Sequence, residues 1–223
     1  MIAIVDYGAS NLRSVVNAFA VIGEKTFVTN DPVELANASA IVLPGVGAFG
    51  EGINALRRLG MVQAINEQVL SNKKPFLGIC LGLQFLAHES TEHGTHQGFG
   101  WIHGVVRKIH PQQPGYRIPH MGWNSVHLQC PCPLFNELPD DPEFYFAHSY
   151  CLEVAQSDSA VVTSTCWHGE SLTASIRKGH ICAVQFHPEK SQNAGLMLLH
   201  NFTELIRFEG ARDGGVPARR IAS

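Results

Sequence analysis

Lys74-Pro-Phe-Leu-Gly-Ile-Cys-Leu-Gly-Leu-Gln84 places one cysteine, Cys80, between two glycines at the end of an apolar run. Residues 75–79 read as a short buried strand, and residues 81–88 as a helix that begins at once. Gly78 and Gly82 flank the cysteine at equal spacing. This is the cysteine form of a nucleophile elbow, a strained strand-to-helix turn that lifts the side chain above a sheet and needs small neighbours. The same stretch also fits a buried cysteine in a packed βα unit, because free Cys is among the most buried residue types. A second motif separates the two readings.

Far downstream comes Ile181-Cys-Ala-Val-Gln-Phe-His187-Pro-Glu189, an apolar strand that ends in a histidine and a carboxylate two positions apart. Alternate residues of an extended chain point to the same side. The spacing therefore predicts that the imidazole and the carboxylate emerge together, with Glu189 orienting the ring while His187 takes a proton from the Cys80 thiol. Read alone, His-Pro-Glu also fits a solvated turn. Paired with the elbow it completes a Cys, His, Glu triad.

Working outward, strands and helices alternate. Strands are expected over residues 2–5, 26–29 and 40–43, a helix over 11–22 capped by Ser10 or Asn11, a short helix over 32–36 and a longer one over 52–70. Between residues 98 and 177 the pattern becomes short strands among Gly and Pro turns, at 105–109, 124–128, 143–147 and 160–165, and reads as antiparallel or mixed. A last helix is expected over 192–208. The fold class is α/β, with a mixed, largely parallel sheet flanked by helices and ligands at the carboxyl ends of its strands. We read one domain over residues 1–208 and a flexible tail over 209–223, which has little apolar content to bury.

The 223 residues are 45% hydrophobic and carry a formal net charge of -3, so electrostatics gives no case for nucleic acid or an anionic membrane. No apolar stretch approaches the ~20 residues of a membrane span, and the amino terminus reads as a strand rather than a signal peptide. A cytosolic chain is expected, and its six cysteines are then reduced thiols rather than a disulfide framework. Cys130-Pro-Cys132 with His127 invites a metal, but no second ligand pair is evident and none is assigned. Of twelve histidines only His187 stands in an assignable motif.

Leu43-Pro-Gly-Val-Gly-Ala-Phe-Gly50 follows a strand and precedes a helix, yet it lacks the Gly-Lys-Ser/Thr ending of a phosphate loop. Attack by a thiolate on a carbonyl creates an oxyanion that needs preset backbone donors. Gly47, with Val46 or its neighbour, supplies one candidate N–H, and Leu81, just after the nucleophile, supplies the other. The chemistry so implied is acyl transfer through a thioester, and the residues alone do not choose the acyl group.

Gly-Ile-Cys80-Leu-Gly-Leu-Gln84 together with His187-Pro-Glu189 resembles the signature pair of class I, triad-type glutamine amidotransferases, whose fold is flavodoxin-like with a nucleophile elbow. Asp6-Tyr-Gly, Asn11-Leu-Arg-Ser14, Leu43-Pro-Gly-Val-Gly-Ala-Phe49, Pro119-His-Met-Gly-Trp-Asn124, Ala147-His-Ser-Tyr150 and His187-Pro-Glu-Lys-Ser191 narrow the likeness to the glutaminase subunits (HisH) of imidazole glycerol phosphate synthase. The resemblance spans about residues 1–208. It implies hydrolysis of L-glutamine to glutamate and ammonia without a cofactor, and transfer of the ammonia to a (β/α)8 cyclase of the HisF type in a heterodimer that serves histidine synthesis. By the same resemblance Cys80 is nucleophile, His187 general base and acid, and Glu189 the orienting carboxylate. Gly47, Gln84, Glu92 and Ser149 would hold glutamine, and Asn11, Trp123 and Lys190 would lie toward the cyclase. Relatives often carry glycine where this chain has Ser10, which concerns the first turn and not the triad. The alternatives are a paralogue feeding another cyclase-like acceptor, such as one amidating a sugar, and a non-catalytic subunit, which would be expected to lack a triad member.

Overall fold

A computed structural model describes residues 1–9 and 11–213, with side chains through Phe208; Ser10 and the tail from 214 lie outside the described residues. The chain opens with β1 (Ile2–Val5), α1 (Leu12–Val21), β2 (Thr26–Thr29), β3 (Ala40–Gly45), α2 (Phe49–Arg58), α3 (Met61–Asn66), β4 (Phe76–Cys80) and α4 (Leu81–Gln84). It then crosses to β5 (Ala87–Ser90), β6 (His96–Gln97), β7 (Ile102–Lys108), β8 (His120–Ser125), β9 (His127–Leu128), β10 (Glu143–His148) and β11 (Tyr150–Val154). It returns through β12 (Val162–Trp167), β13 (Ser171–Lys178) and β14 (Ile181–Val184) to α5 (Gln192–Asp213). No described helix is long and apolar enough to cross a membrane.

The main sheet has the order β2-β1-β3-β4-β14-β13-β12-β9. Its first five strands are parallel and the remaining pairings antiparallel, as the mixed, largely parallel reading expects. Alternation along the strands explains why helices cover both faces. Ile2, Ile4, Val42, Leu77 and Ile79 pack on one side with Val15 and Phe19 of α1 and Leu198, Leu199 and Phe202 of α5. Ala3, Val5, Ile41, Leu43 and Phe76 face the other way, against Ile53 and Leu56 of α2, Met61 and Ile65 of α3, and Leu81 and Leu83 of α4. A four-stranded sheet, β11-β7-β5-β6, and the antiparallel pair β10-β8 stand beside this core.

Two expected helices are shorter than their patterns. The one over 52–70 is interrupted at Gly60, whose φ of 71° ends α2 and restarts the chain as α3, followed by a π-helical turn over Glu67–Ser71. The one over 81–88 closes after a single turn, because residues from Ala87 pair with β7 instead. The strand expected over 124–128 is two, His120–Ser125 and His127–Leu128, with buried Val126 between them. Strands at the other positions lie within a few residues of their expected places.

Candidate active site

The elbow owes its shape to glycine packing. Cys80 has φ 55° and ψ −106°, a conformation that L residues avoid and that costs about 1–3 kcal/mol unless its surroundings enforce it. They do. A Cβ on Gly82 would stand 1.8 Å from the Leu43 carbonyl oxygen, and one on Gly78 2.7 Å from the Gly82 carbonyl oxygen, so helix α4 lies against β3 and β4 only with hydrogen at both places.

Sheet register then gathers the chemistry. Gly45, at the end of β3, is opposite Cys80, so Val46 and Gly47 leave the sheet beside the thiol. Gly47 has φ 98°, which glycine reaches without strain. A Cβ on Gly45 would stand 2.1 Å from the Tyr7 hydroxyl, which is buried without a hydrogen-bond partner behind this loop. Burial, and then the charge of Cys80, hold the Tyr7 phenol well above its ordinary pKa. On the other side Val184 is opposite Ile79, and the next residue, Gln185, reaches Cys80 with its Nε2 3.6 Å from Sγ.

Beyond Val184 the faces continue to alternate: Val184 and Phe186 enter the core, where Phe186 stacks on Phe144 at 4.0 Å. His187 keeps an extended backbone and faces Cys80, but Glu189 does not meet its ring by the extended route expected. It precedes a one-turn 3-10 helix, Pro188–Lys190, and that turn brings Glu189 back under the ring, with His187 Nδ1 2.8 Å from Glu189 Oε1. Three further bonds fix the backbone here: His187 N–H to the Tyr145 carbonyl at 2.8 Å, Ser191 Oγ–H to the His187 carbonyl at 2.7 Å, and Tyr145 N–H to Ser191 Oγ at 2.9 Å. Burial disfavours the imidazolium, but the charge and hydrogen bond of Cys80, and then those of Glu189, outweigh it and push His187 up to about 10. A protonated imidazole thus stands beside the Cys80 sulfur, an arrangement that favours the thiolate.

An open cleft of about 320 Å³ lies over the thiol. Val46, Gly47, Cys80, Leu81, Gln84, Glu92, Ser149, His187 and Lys190, all named from the sequence, line it. Glu189 does not, because its side chain is fully buried behind His187. Gln84 donates from Nε2 to the Tyr150 carbonyl at 2.9 Å and to Gln185 Oε1 at 3.1 Å, which commits both its amide hydrogens within the protein. Glu92 accepts the first helical N–H of α2, from Phe49, at 2.7 Å, so the carboxylate that edges the cleft also anchors the segment following Gly47.

Of the three residues expected at a partner interface, two share the Tyr145 ring and the third turns to Glu189. Lys190 lines the cleft, with its Nζ 6.0 Å from the centre of the Tyr145 ring. Trp123 is 46% exposed on β8 and meets the same ring edge-on at 6.2 Å. Asn11 stands at the N-cap of α1 but makes no side-chain cap; its Nδ2 donates to Glu189 Oε1 instead, beside His187. The expected cap by Asn11 is therefore absent, its side chain being turned to Glu189, and the alternative, Ser10, lies outside the described residues.

Sequence reasoning missed Gln185. Its signal was a polar residue inside an apolar strand, with the same phase as His187, and it is fully buried. None of the six cysteines is in a disulfide; Cys130 is exposed, Cys132 buried, and His127 is engaged by Asp141 at 2.7 Å. Among the described residues no group of three or more His, Cys, Asp or Glu is placed to hold a metal ion.

With this geometry in hand, the family model for class-I glutamine amidotransferases matches residues 3–205. Among curated proteins, an imidazole glycerol phosphate synthase subunit HisH 1 of Campylobacter jejuni is 43% identical, covering 92% of this chain and all of that one. The HisH subunit of Chlorobium luteolum is 46% identical with the same coverage. Among solved structures, a putative GMP synthase subunit from Thermoplasma acidophilum aligns with a TM-score of 0.72 and 19% identity over 96% of both chains, a likeness of fold.

Proposed function

The chain belongs to the class-I glutamine amidotransferase family, and on that premise we propose that it is the glutaminase subunit of an imidazole glycerol phosphate synthase, acting as one domain over residues 1–208. The observation that carries the chemistry is Cys80 held at positive φ between β4 and α4 with His187 and Glu189 in line behind it. In this reading the Cys80 thiolate attacks the side-chain amide carbon of glutamine. Backbone N–H groups at Val46 or Gly47 and at Leu81 take the developing oxyanion, a contribution worth about 3 kcal/mol for each donor. His187 Nε2–H protonates the departing nitrogen, so ammonia leaves as the C–N bond breaks and a glutamyl thioester remains. His187, now neutral, takes a proton from water; the hydroxyl adds to the thioester, the C–S bond breaks, and glutamate leaves.

The negative Glu92 edge of the cleft suits the substrate α-ammonium, and Ser149 and Gln84 Oε1 suit its other polar groups. Trp123, Met121 and Lys190 form an exposed rim beside the mouth of the cleft that suits a HisF-type cyclase receiving the ammonia. The test is the reconstituted pair. Cys80→Ala is expected to abolish glutamine-dependent synthesis and to leave ammonia-dependent synthesis by the cyclase intact. Glutamine still driving the reaction in that variant would overturn the nucleophile assignment, and glutamine hydrolysis indifferent to the cyclase would overturn the partner.

A further inference from the structure

We propose that His120 and His148 form a neutral hydrogen-bond wire, locked in one tautomer, that positions the Ser149–Tyr150 wall of the glutamine cleft and ties it to the strand bearing Trp123. The two histidines are cross-strand partners in the β8-β10 pair, and both are buried, 3% and 6% exposed. Their ring nitrogens are 2.9 Å apart, His120 Nδ1 to His148 Nε2.

Two carbonyl groups at the ends of the chain fix every proton along it. A carbonyl has no hydrogen to give, so His148 Nδ1, 2.8 Å from the Tyr150 carbonyl oxygen, must be the donor. Neutral His148 then has a bare Nε2, and His120 Nδ1–H must donate to it. That leaves His120 Nε2 as an acceptor, and Asn124 Nδ2 stands 3.1 Å away. Asn124 Nδ2 also donates to the Trp167 carbonyl at 2.9 Å, which identifies that end of the amide as the nitrogen. A second proton on either ring would set two donors face to face. Burial pushes both rings down, His120 to about 3 and His148 to about 4. Neighbouring imidazoles also oppose protonation: His148 and His168 for His120, and His168 and His187 for His148.

The wire cannot swing away. The His120 ring is stacked between Phe146 at 4.6 Å and His168 at 4.1 Å, and His168 Nε2 lies 2.8 Å from the Arg117 carbonyl. At its inner end the Tyr150 carbonyl also accepts Gln84 Nε2, so His148 and Gln84 together pin one wall of the cleft. At its outer end, strand alternation puts His120 and Asn124 inward and Met121 and Trp123 outward on the same strand. His120 and His148 are therefore positioning residues, acting on substrate through Tyr150 and Ser149, a role that rests on the glutaminase reading.

The direct test is 15N NMR of the full chain labelled at the histidine ring nitrogens. Two imidazoles should hold a protonated Nδ1 and a bare Nε2 from pH 5 to 9, opposite to the tautomer free imidazole side chains prefer. Either ring titrating in that range, or carrying its proton on Nε2, would overturn the wire. This arm is decided whether or not the chain hydrolyses glutamine, so failure of the wire and failure of the glutaminase reading are told apart. In complex with the cyclase, His120→Leu should raise KM for glutamine about tenfold, with kcat changed less than about threefold. His120→Asn, which keeps a donor near the Nδ1 position, should restore most of the KM. A loss in kcat at unchanged KM, or Asn no better than Leu, would overturn the positioning role.

Discussion

The two sides of the cleft store their geometry differently. On the β4 side, the elbow is compact: Gly78, Cys80 and Gly82 are close in sequence, and hydrogen atoms at the two glycines let α4 lie against β4 and against Leu43 of β3. On the β14 and β8-β10 side, one short turn joins His187 to Glu189, and the bonds that hold that turn and the facing wall come from far along the chain. His187 is held by Glu189, Glu189 by Asn11 from the start of the chain, and the facing wall by a cross-strand pair of histidines. A nucleophile needs strain, which a few residues can lock in. A base and a binding wall need orientation, which long-range hydrogen bonds supply and can adjust.

That contrast is broken most severely at the elbow. Gly82→Ala puts a methyl against the Leu43 carbonyl oxygen, a backbone atom with little room to yield. It is expected to lower unfolding stability by about 3 kcal/mol or more in urea titration, and a loss under about 1 kcal/mol would show that the elbow is not locked by packing.

On the long-range side, Glu189→Gln should fold normally and lower kcat/KM for glutamine by roughly a thousandfold, since the ring loses its orienting charge. Glu189 helps hold His187 above its ordinary value. Removing the charge lowers that pKa, so the alkaline limb of the rate profile, set in the native protein by His187 near 10, should move to lower pH. An unmoved limb would mean that Glu189 does not act on the ring.

Asn11→Ala removes only the second contact on the Glu189 carboxylate and should reduce kcat about tenfold. Asn11→Asp should do worse, because a second negative charge would face Glu189. Equal rates for the two variants in steady-state assays would uncouple the start of α1 from the triad.

A further effect is on acid stability. His120 and His148 remain neutral in the fold to about 3 and about 4, while in the unfolded chain they take up protons near 6.5. Between those values the unfolded state binds more protons, so stability is full above about 6.5 and falls as pH drops, by up to ~1.4 kcal/mol per pH unit for each ring. Urea midpoints at pH 7 and pH 5 should therefore fall less for His120→Asn than for the native chain. Equal falls would contradict a neutral His120.

Legibility from sequence followed the same division. The elbow, the parallel βα half and the Gly47 loop could be read because their signals are short and local, whereas Glu92 and Ser149, which also line the cleft, came from the family resemblance alone. His187 and Glu189 do meet, but the sequence ascribes their meeting to an extended chain when a 3-10 turn produces it. The pattern over 52–70 has helical period on both sides of Gly60, and only the left-handed backbone there breaks it. Asn11 carries the signature of a cap, yet a carboxylate from the far end of the chain takes its amide. His120 and His148 had no readable role, because their pairing depends on a strand register that no local pattern encodes.

The most direct test of the central claim is acid quenching of the cyclase complex during glutamine turnover, followed by peptide mass mapping of all six cysteines. A glutamyl thioester on Cys80, and on none of the other five even though Cys130 is exposed, is the predicted result. Glutamate accumulating with the adduct on a different cysteine, or with no adduct under conditions that trap thioesters, would contradict the account.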